Sequence, residues 1–377
     1  MDKTTQLVRA GLPEPPHKHA SGAAIHAGPV FASAFVTPGD PAESPYTYAR
    51  FHNPTWTYLE TAIGALEGGI ARIFPSGMAA VTAVFTALLQ PGDIVVLPSD
   101  CYYTTRILTR EFFTPLGIQT RLAPTRNNAQ AELLAGAKLL WLETPSNPGL
   151  DLCDIAALSE AAHRHGALVA VDNTTPTALG QSPLELGADI SVASDTKSLS
   201  GHSDLLLGHV AVRDVALAAR IERWRTLSGS IVGPMEAWLA LRSLETLPLR
   251  LERQSQNAQA IAEFLTTRQE VTAVYYPGLT THPAHALARQ QMRYSGPVVS
   301  FELASREAAE HFLAASQLLV EATSFGGTVS SAERRARWAA DDVSEGFVRL
   351  SAGCECIQDL LTDLDQALHA SRGSSIA

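Results

Sequence analysis

From Ala188 to Asp204 the sequence reads ADISVASDTKSLSGHSD, and this stretch is the clearest guide to the fold. Its first six residues predict a short buried strand, and Lys197 stands just beyond that strand among hydroxyl residues. A lysine in this position is rarely a surface lysine. Burial lowers the pKa of a lysine, and the neutral amine can attack a carbonyl carbon. The stretch therefore predicts a sheet with a reactive amine at the end of one strand.

Helices and strands alternate on both sides of this stretch, from Tyr48 to about Leu227. Further apolar strands are predicted over 93–98, 137–143 and 167–171, with apolar helices between them. Strands that are apolar on both faces are typical of a parallel sheet that helices cover on both sides. We therefore expect the α/β class, with a mostly parallel sheet between helices.

Polar residues follow three of these predicted strands. They are the segments 143–147, 172–174 and 194–197. One such strand end alone would be weak support, because strands often end in turn residues. Open parallel sheets bind ligands at the carboxyl ends of their strands, so three polar ends on one edge predict a ligand site.

The chemistry that fits this edge is a Schiff base between Lys197 and pyridoxal 5′-phosphate (PLP). A buried carboxylate needs a cationic partner, which the protonated pyridine nitrogen would give Asp172. Residues 76–78, Ser-Gly-Met, precede an apolar helix whose free N–H groups can bind the cofactor phosphate. Ser194 and Thr196 would add hydroxyl donors. The plainer alternatives are a structural acid at Asp172 and an ordinary cap on that helix.

Three regions are expected along the chain. Residues 1–47 are rich in Pro, His, Gly and Ala and predict an extended arm, able to wrap a partner subunit. Residues 48–232 would form the large PLP-binding domain, and residues 233–377 a smaller C-terminal α/β domain. At the start of the large domain Arg50 can hold a phosphate and Tyr48 can donate its hydroxyl. The alternative for this segment is a solvated turn.

The composition argues against several classes of function. The formal charge of −10 speaks against nucleic acid and gives no reason to expect a membrane surface as partner. No apolar run approaches the roughly 18 residues of a membrane span, and the N-terminus lacks the apolar core of a signal peptide. The four cysteines form no Cys-x-x-Cys pair, which favours free thiols in the cytoplasm. Histidine pairs at 163/165 and 282/285 have no third ligand cluster, so no metal is expected.

Several motifs together resemble the Cys/Met-metabolism PLP enzymes, the trans-sulfuration family that includes cystathionine γ-lyase, cystathionine γ-synthase and methionine γ-lyase. The resemblance runs from about Thr5 to about Leu368. It implies the fold type I of PLP-dependent transferases, which is like that of aspartate aminotransferase. The motifs are YxRxxNPT (48–55), SGMAA (76–80), ETPSNP (143–148), VDNT (171–174), PLELGAD (183–189), GHSD (201–204) and RLSxG (349–353).

The resemblance also implies roles for single residues. Lys197 would carry the cofactor and move protons, Asp172 would pair with the pyridine nitrogen, and Tyr102 would stack on the ring. Arg349 would hold the carboxylate of an amino-acid substrate, with Ser324 beside it. The phosphate would be bound by Gly77, Met78, Ser194 and Thr196, and Asn147 would contact the ring on the side of its hydroxyl. Tyr48 and Arg50 would reach the cofactor phosphate in the site of the neighbouring subunit, where Tyr48 would also contact the substrate. The family is usually a homotetramer made of two active dimers.

Some positions depart from the family pattern. Thr47 and Thr323 stand where an acid often holds the distal ammonium of cystathionine, and Thr104 replaces the cysteine of methionine γ-lyases. Asp195 replaces a small residue beside the lysine. Residues 332–338 include three cations, Arg334, Arg335 and Arg337. These arginines either recognise an anionic substrate or belong to a solvated helix face.

The expected reaction is γ-elimination of cystathionine to cysteine, 2-oxobutanoate and ammonia, most like cystathionine γ-lyase. Two alternatives are γ-replacement on an activated homoserine, as in cystathionine γ-synthase, and a methionine γ-lyase-like activity. A third is a non-catalytic protein with a PLP-enzyme fold. The presence of Lys197, Tyr102, Asp172 and Arg349 speaks against the third.

Overall fold

The computed structural model describes residues 1–10, 12, 22, 24–338 and 340–372. Its strands are β1 Ile70–Phe74, β2 Ile94–Pro98, β3 Gln119–Ala123, β4 Leu139–Glu143, β5 Leu168–Asp172, β6 Ile190–Ala193, β7 Gly208–Val212, β8 Val271–Tyr275, β9 Val298–Leu303, β10 Val320–Glu321, β11 Ser331–Arg334 and β12 Phe347–Ser351. Its α-helices are α1 Lys3–Val8, α2 Pro54–Glu67, α3 Gly77–Leu88, α4 Tyr103–Leu108, α5 Ile155–Arg164, α6 Thr177–Gly180, α7 Val215–Ser228, α8 Pro234–Leu244, α9 Leu247–Thr266, α10 His285–Gln291, α11 Arg306–Ala315 and α12 Ile357–Ser371.

Strands β1 to β7 form one sheet in the order β1-β7-β6-β5-β4-β2-β3. The neighbouring strands β3, β2, β4, β5 and β6 pair in parallel, and β7 runs antiparallel to both β6 and β1. Helix α3 packs on one face with an apolar cluster that includes Phe74 and Val192, while α2 and α8 cover Ile73 and Ala211 on the other. The predicted α/β class with a mostly parallel sheet is therefore confirmed.

The ends of these helices follow local chemistry. The side chains of Ser76 and Asp154 accept hydrogen bonds from the first turns of α3 and α5. Helix α2 begins at Pro54 and ends at Glu67, and the following Gly68 adopts the left-handed conformation that terminates helices at low cost. These caps fix where α2 ends and where α3 and α5 begin.

Strands β8 to β12 form a second sheet in the order β10-β11-β12-β9-β8. Its core lies against α9, α11 and α12 and includes Phe301, Phe312 and Leu364. Strand β11 pairs antiparallel with β12, with Glu333 opposite Arg349. The domain boundaries expected from the sequence stay a prediction.

The N-terminal arm contains a feature that the sequence analysis did not predict. Residues 3–8 form helix α1, capped by the side chain of Asp2, and Leu7 is buried in the cluster beneath α2 and α8. The helix forms because Leu7 gains an apolar site that a local reading cannot show. The rest of the predicted arm falls partly on residues 11, 13–21 and 23, which lie outside the described residues. None of the helices in the described ranges is long and apolar enough to cross a lipid bilayer.

Candidate active site

The three polar strand ends meet at one edge of the first sheet, as their pattern predicts. Glu143 on β4 lies in register with Asp172 on β5, and Asp172 lies in register with Val192 on β6. All three strand ends line a cavity of about 240 Å³. The lining includes these predicted site residues: Gly77, Met78, Tyr102, Asn147, Asp172, Ser194, Thr196, Lys197, Ser324 and Arg349.

Lys197 projects into this cavity from the turn after β6. Its amide donates to Ser194 O at 3.2 Å, and its carbonyl accepts from Gly201 N at 2.8 Å. The amine lies 5.6 Å from the centre of the Phe325 ring. Burial, helped by the charge of Arg349, lowers the pKa of Lys197 to about 8, although Asp172 opposes the shift. The side chain is therefore poised to exchange a proton near neutral pH.

Asp172 is oriented by its neighbour Thr174. The backbone N–H and the hydroxyl of Thr174 donate to the same carboxylate oxygen, at 3.1 and 2.6 Å. The second oxygen is thus available to a donor in the cavity. Burial raises the pKa of Asp172, and the bonds from Thr174 and the charge of Lys197 partly offset the shift. A cationic N–H would relieve the cost of this buried carboxylate, as a pyridinium would.

The start of α3 forms a cradle with no room for further side chains. A Cβ at Gly77 would lie 2.5 Å from Ser194 Cβ, and a Cβ at Gly208 would lie 2.5 Å from Ser76 O. The first N–H groups of α3 have no intrahelical acceptor, and the helix dipole favours an anion there. The hydroxyl of Thr196 donates to Leu207 O and accepts from Leu207 N, and these two bonds hold the Thr196 side chain at the rim of the cradle. The cradle fits a phosphate, so ring anchor, amine and phosphate site all fit PLP.

Arg349, on β12, also lines the cavity. Its guanidinium donates to Asn147 Oδ1 at 2.8 Å, to Ser324 O at 3.1 Å and to Glu333 Oε1 at 2.6 Å. Ser324 has a φ of +82°, a conformation that costs a non-glycine residue energy and here turns the serine carbonyl toward Arg349. Burial lowers the pKa of Arg349 to about 10, so the group is still a cation at neutral pH.

Glu333 is a site residue that the sequence analysis missed. It is 0% exposed, and its carboxylate also accepts from Arg335 at 2.7 Å and from Trp338 Nε1 at 2.7 Å. Burial alone would raise the pKa of Glu333, but the charge of Arg349, the bond from Trp338 and the charge of Arg335 lower it. The strand pairing of Glu333 with Arg349 could not be read from a run that looks like a charged surface.

The arginine run is not a solvated helix face. Residues 331–334 form β11 and residues 335–338 a short 3₁₀ turn. Arg335 lines the cavity but is buried, and it bonds to both Glu333 and Asp341. Arg334 pairs with Glu345, and Arg337 with Glu321 and Glu333. Each cation therefore already has an acidic partner within the chain.

Aromatic side chains also line the cavity. Tyr102 follows β2 in the chain, and its amide donates to Glu143 Oε2 at 2.7 Å. The Tyr102 and Tyr103 rings meet edge to face with centroids 5.0 Å apart. Burial raises the pKa of Tyr102, so its phenol stays protonated at neutral pH. Trp338 also lines the cavity.

Tyr48 and Arg50 lie away from this cavity in their own chain. Arg50 donates to Thr226 O at 2.8 Å, and its guanidinium lies 4.9 Å from the centre of the Phe51 ring. Tyr48 is 45% exposed. Of the substrate-side threonines, Thr323 lines the cavity, whereas Thr47 and Thr104 are not among its lining residues in the described part of the chain.

Comparison with known proteins agrees with these features. The sequence model of the Cys/Met metabolism PLP-dependent enzymes matches residues 4–369. A putative cystathionine gamma-lyase of Streptomyces coelicolor is 56% identical over 97% of this chain and 93% of that protein. An L-methionine gamma-lyase of Pseudomonas deceptionensis is 40% identical over 87% of this chain and 86% of its own. The crystal structure of a cystathionine gamma synthase from Xanthomonas oryzae in complex with cystathionine superposes with a TM-score of 0.94, at 36% identity, over 99% of both chains.

Proposed function

Since the chain belongs to the Cys/Met-metabolism family of PLP-dependent enzymes, we propose that it cleaves cystathionine by γ-elimination to cysteine, 2-oxobutanoate and ammonia. The family resemblance, the fold type I and the PLP cofactor expected from the sequence are thereby confirmed. The relatives carry out several reactions, so the choice among them rests on the cavity.

Asp172 and the cradle at Gly77 would hold the cofactor. Asp172 would keep a ring nitrogen protonated through its free carboxylate oxygen, and the first turn of α3 would bind the phosphate with Ser194 and Thr196. Tyr102 would cover the ring face. When bound, the cofactor supplies an electron sink that makes the α-proton of an amino acid removable.

Lys197 would move the protons of the reaction. With a pKa of about 8, part of the Lys197 population is neutral at pH 7 to 8 and can accept a proton at Nζ. The neighbouring cation Arg349 favours this neutral form. The same amine, once protonated, can return its proton to the substrate within the same cavity.

Arg349 would orient the substrate by its carboxylate. The planar fork suits two parallel hydrogen bonds to a carboxylate, and Glu333, Asn147 and Ser324 hold the fork in place. One cavity thus joins a proton-exchanging amine, a ring anchor and a carboxylate clamp, and this observation carries the proposal. Incubating the PLP-loaded protein with cystathionine should release a keto acid, and Lys197→Ala should release none. Turnover by the Lys197→Ala variant, or no product from the wild type, would sink the proposal.

A second candidate is elimination from an uncharged thioether such as methionine. Thr323 is neutral, lines the cavity and bonds to Glu333 at 3.3 Å, so no acid at that position holds a distal ammonium. A parallel assay with methionine separates the two, since a higher kcat/KM for methionine than for cystathionine would favour this candidate. Arg335 is already bonded to Glu333 and Asp341, which gives little support to replacement of an anionic leaving group. Turnover of an acylated homoserine only when a thiol is supplied would reverse that view.

The active unit would be a dimer, and two dimers would form the homotetramer. An open cavity of about 1080 Å³ adjoins the site and shares Lys197 and Ser324 with it. Leu206 and Val329 line it and are 64% and 56% exposed, which suits burial against a second copy. Tyr48 and Arg50 of the neighbour would enter there. We place the protein in the cytoplasm, where its free cysteines would stay reduced.

A further inference from the structure

A buried acid–histidine–acid chain lies behind the lysine turn, on the far side of the sheet from the cavity. His209 Nδ1 lies 2.7 Å from Asp195 Oδ1, and His209 Nε2 lies 3.0 Å from Glu67 Oε1. The exposed fraction is 2% for His209 and 0% for each acid. The chain thus joins the last residue of α2, a residue of β7 and the turn that carries Lys197.

The geometry determines how many protons the acid–histidine–acid chain holds. A neutral imidazole has one donor and one acceptor nitrogen, but here both nitrogens face carboxylate oxygens. Two protons must therefore occupy the two hydrogen bonds, as in an imidazolium between two carboxylates. Burial lowers the pKa of His209, but the charges and bonds of Asp195 and Glu67 outweigh burial and raise it to about 10. Glu67 also ends α2, where the helix dipole favours the cation.

The chain touches the part of the fold that forms the site. Asp195 lies between Ser194 and Thr196, which line the cradle, and its carbonyl accepts from Ser200 N at 3.0 Å. On β7, His209 follows Gly208, which packs against Ser76. A shift of His209 would therefore displace both walls of the cradle.

We propose that His209 is a positioning residue: by bridging Glu67 and Asp195, it holds the turn of Ser194, Thr196 and Lys197 in the geometry that binds the cofactor and presents the amine. This rests on the proposed role of Lys197, but not on the identity of the substrate. The charged groups around His209 are Asp195 after β6, Glu67 on α2 and Asp172 on β5. Burial raises the pKa of Asp172, and the charge of His209 offsets part of that rise. Glu60, also on α2, is held by Arg225 and Arg72.

The test compares His209→Gln with His163→Gln. His163 pairs with Asp189 at 2.9 Å in an exposed position, so its loss serves as the matched control. For His209→Gln we expect the dissociation constant for PLP to rise about tenfold or more, as for other groups that orient a ligand-binding residue. We also expect the pH midpoint of the visible absorbance of the bound cofactor to move, which a loss of stability alone would not cause.

An unchanged dissociation constant and an unchanged midpoint in folded His209→Gln would overturn the proposal. If that variant does not fold, Asp195→Asn carries the same test, because it keeps the side-chain shape and leaves His209 bonded to Glu67. If neither variant folds, the acid–histidine–acid chain has a purely structural role and the proposal is wrong. Cofactor affinity is measured without substrate, so a wrong choice of substrate in the proposed function does not affect the result.

Discussion

Glu333 and Arg349 face each other across antiparallel strands β11 and β12, and their side chains meet at 2.6 Å, with Arg349 lining the cavity. The pair sets the charge balance on the carboxylate-binding side. Arg349 and Arg335 are offset by Glu333 and Asp341 before any substrate arrives. The orientation of Arg349 therefore depends on a residue that need not touch the substrate.

Glu333→Gln should destabilise the protein and weaken substrate binding. Removing one member of a buried ion pair leaves an uncompensated charge and costs about 3 kcal/mol. Because the folded-state pKa of Glu333 is lowered, its contribution is present above the ordinary value of 4.5 and is lost as the pH falls through the folded pKa. Urea unfolding at pH 7 and at pH 4 measures the loss of stability and its pH dependence, and the difference in the free energy of unfolding between wild type and variant should narrow at pH 4.

The control for this change is Glu321→Gln. Glu321 pairs with Arg337 at a position where both side chains are partly exposed, so its loss should change stability by less than about 1 kcal/mol. Equal losses in the two variants would contradict a special role for Glu333. A KM that stays at the wild-type value in Glu333→Gln would contradict the role of Glu333 in orienting Arg349 for the substrate.

Gly77→Ala should weaken cofactor binding. The new methyl group would lie 2.5 Å from Ser194 Cβ, so either α3 or the lysine turn must move. We expect the dissociation constant for PLP to rise by at least about tenfold, since a displacement near 1 Å is enough for larger losses. Gly149→Ala is the control, because its Cβ would meet only Ser146 Oγ, at 3.8 Å. Tight binding by Gly77→Ala would argue against the cradle as the phosphate site.

Arg50→Ala and Lys197→Ala should complement each other. If Arg50 serves the neighbouring subunit, each single variant is inactive, but a mixed dimer contains one site with both residues intact. Refolding an equal mixture should therefore recover about a quarter of wild-type activity for random pairing of two subunits. Native mass spectrometry of the mixture verifies that mixed dimers form. Mixed dimers without activity would place Arg50 outside the partner's site.

Cofactor-free Lys197→Met should be more stable than the cofactor-free wild type at neutral pH. The folded-state pKa of Lys197 is lowered to about 8 from 10.5, so the folded protein binds this proton less tightly than the unfolded chain. Wild-type stability should thus rise with pH between 8 and 10.5, and the advantage of the variant, about 3 kcal/mol at pH 7, should fade over that range.

Chemical denaturation between pH 7 and pH 10 measures this difference. Lys138→Met is the control, because Lys138 is exposed and its replacement removes no buried amine. A stability gap that is constant with pH would mean that Lys197 is not desolvated in the cofactor-free protein.

The sequence predicted the first sheet and its ligand-binding edge because both depend on local signals. Apolar strands followed by Asp172 or Lys197 are visible in the chain itself, and parallel topology brings their ends together. The roles of Glu333 and His209 were not predicted, because they depend on contacts with residues that are distant in sequence. Glu333 faces Arg349 only through the register of β11 with β12, and His209 meets Glu67 across 142 residues of chain.

We propose above that this protein breaks the carbon–sulfur bond at Cγ of cystathionine. The most direct test is to identify by mass spectrometry the keto acid released from cystathionine by the PLP-loaded protein. We expect 2-oxobutanoate together with one equivalent of cysteine. Pyruvate with homocysteine, or no keto acid at all, would contradict it.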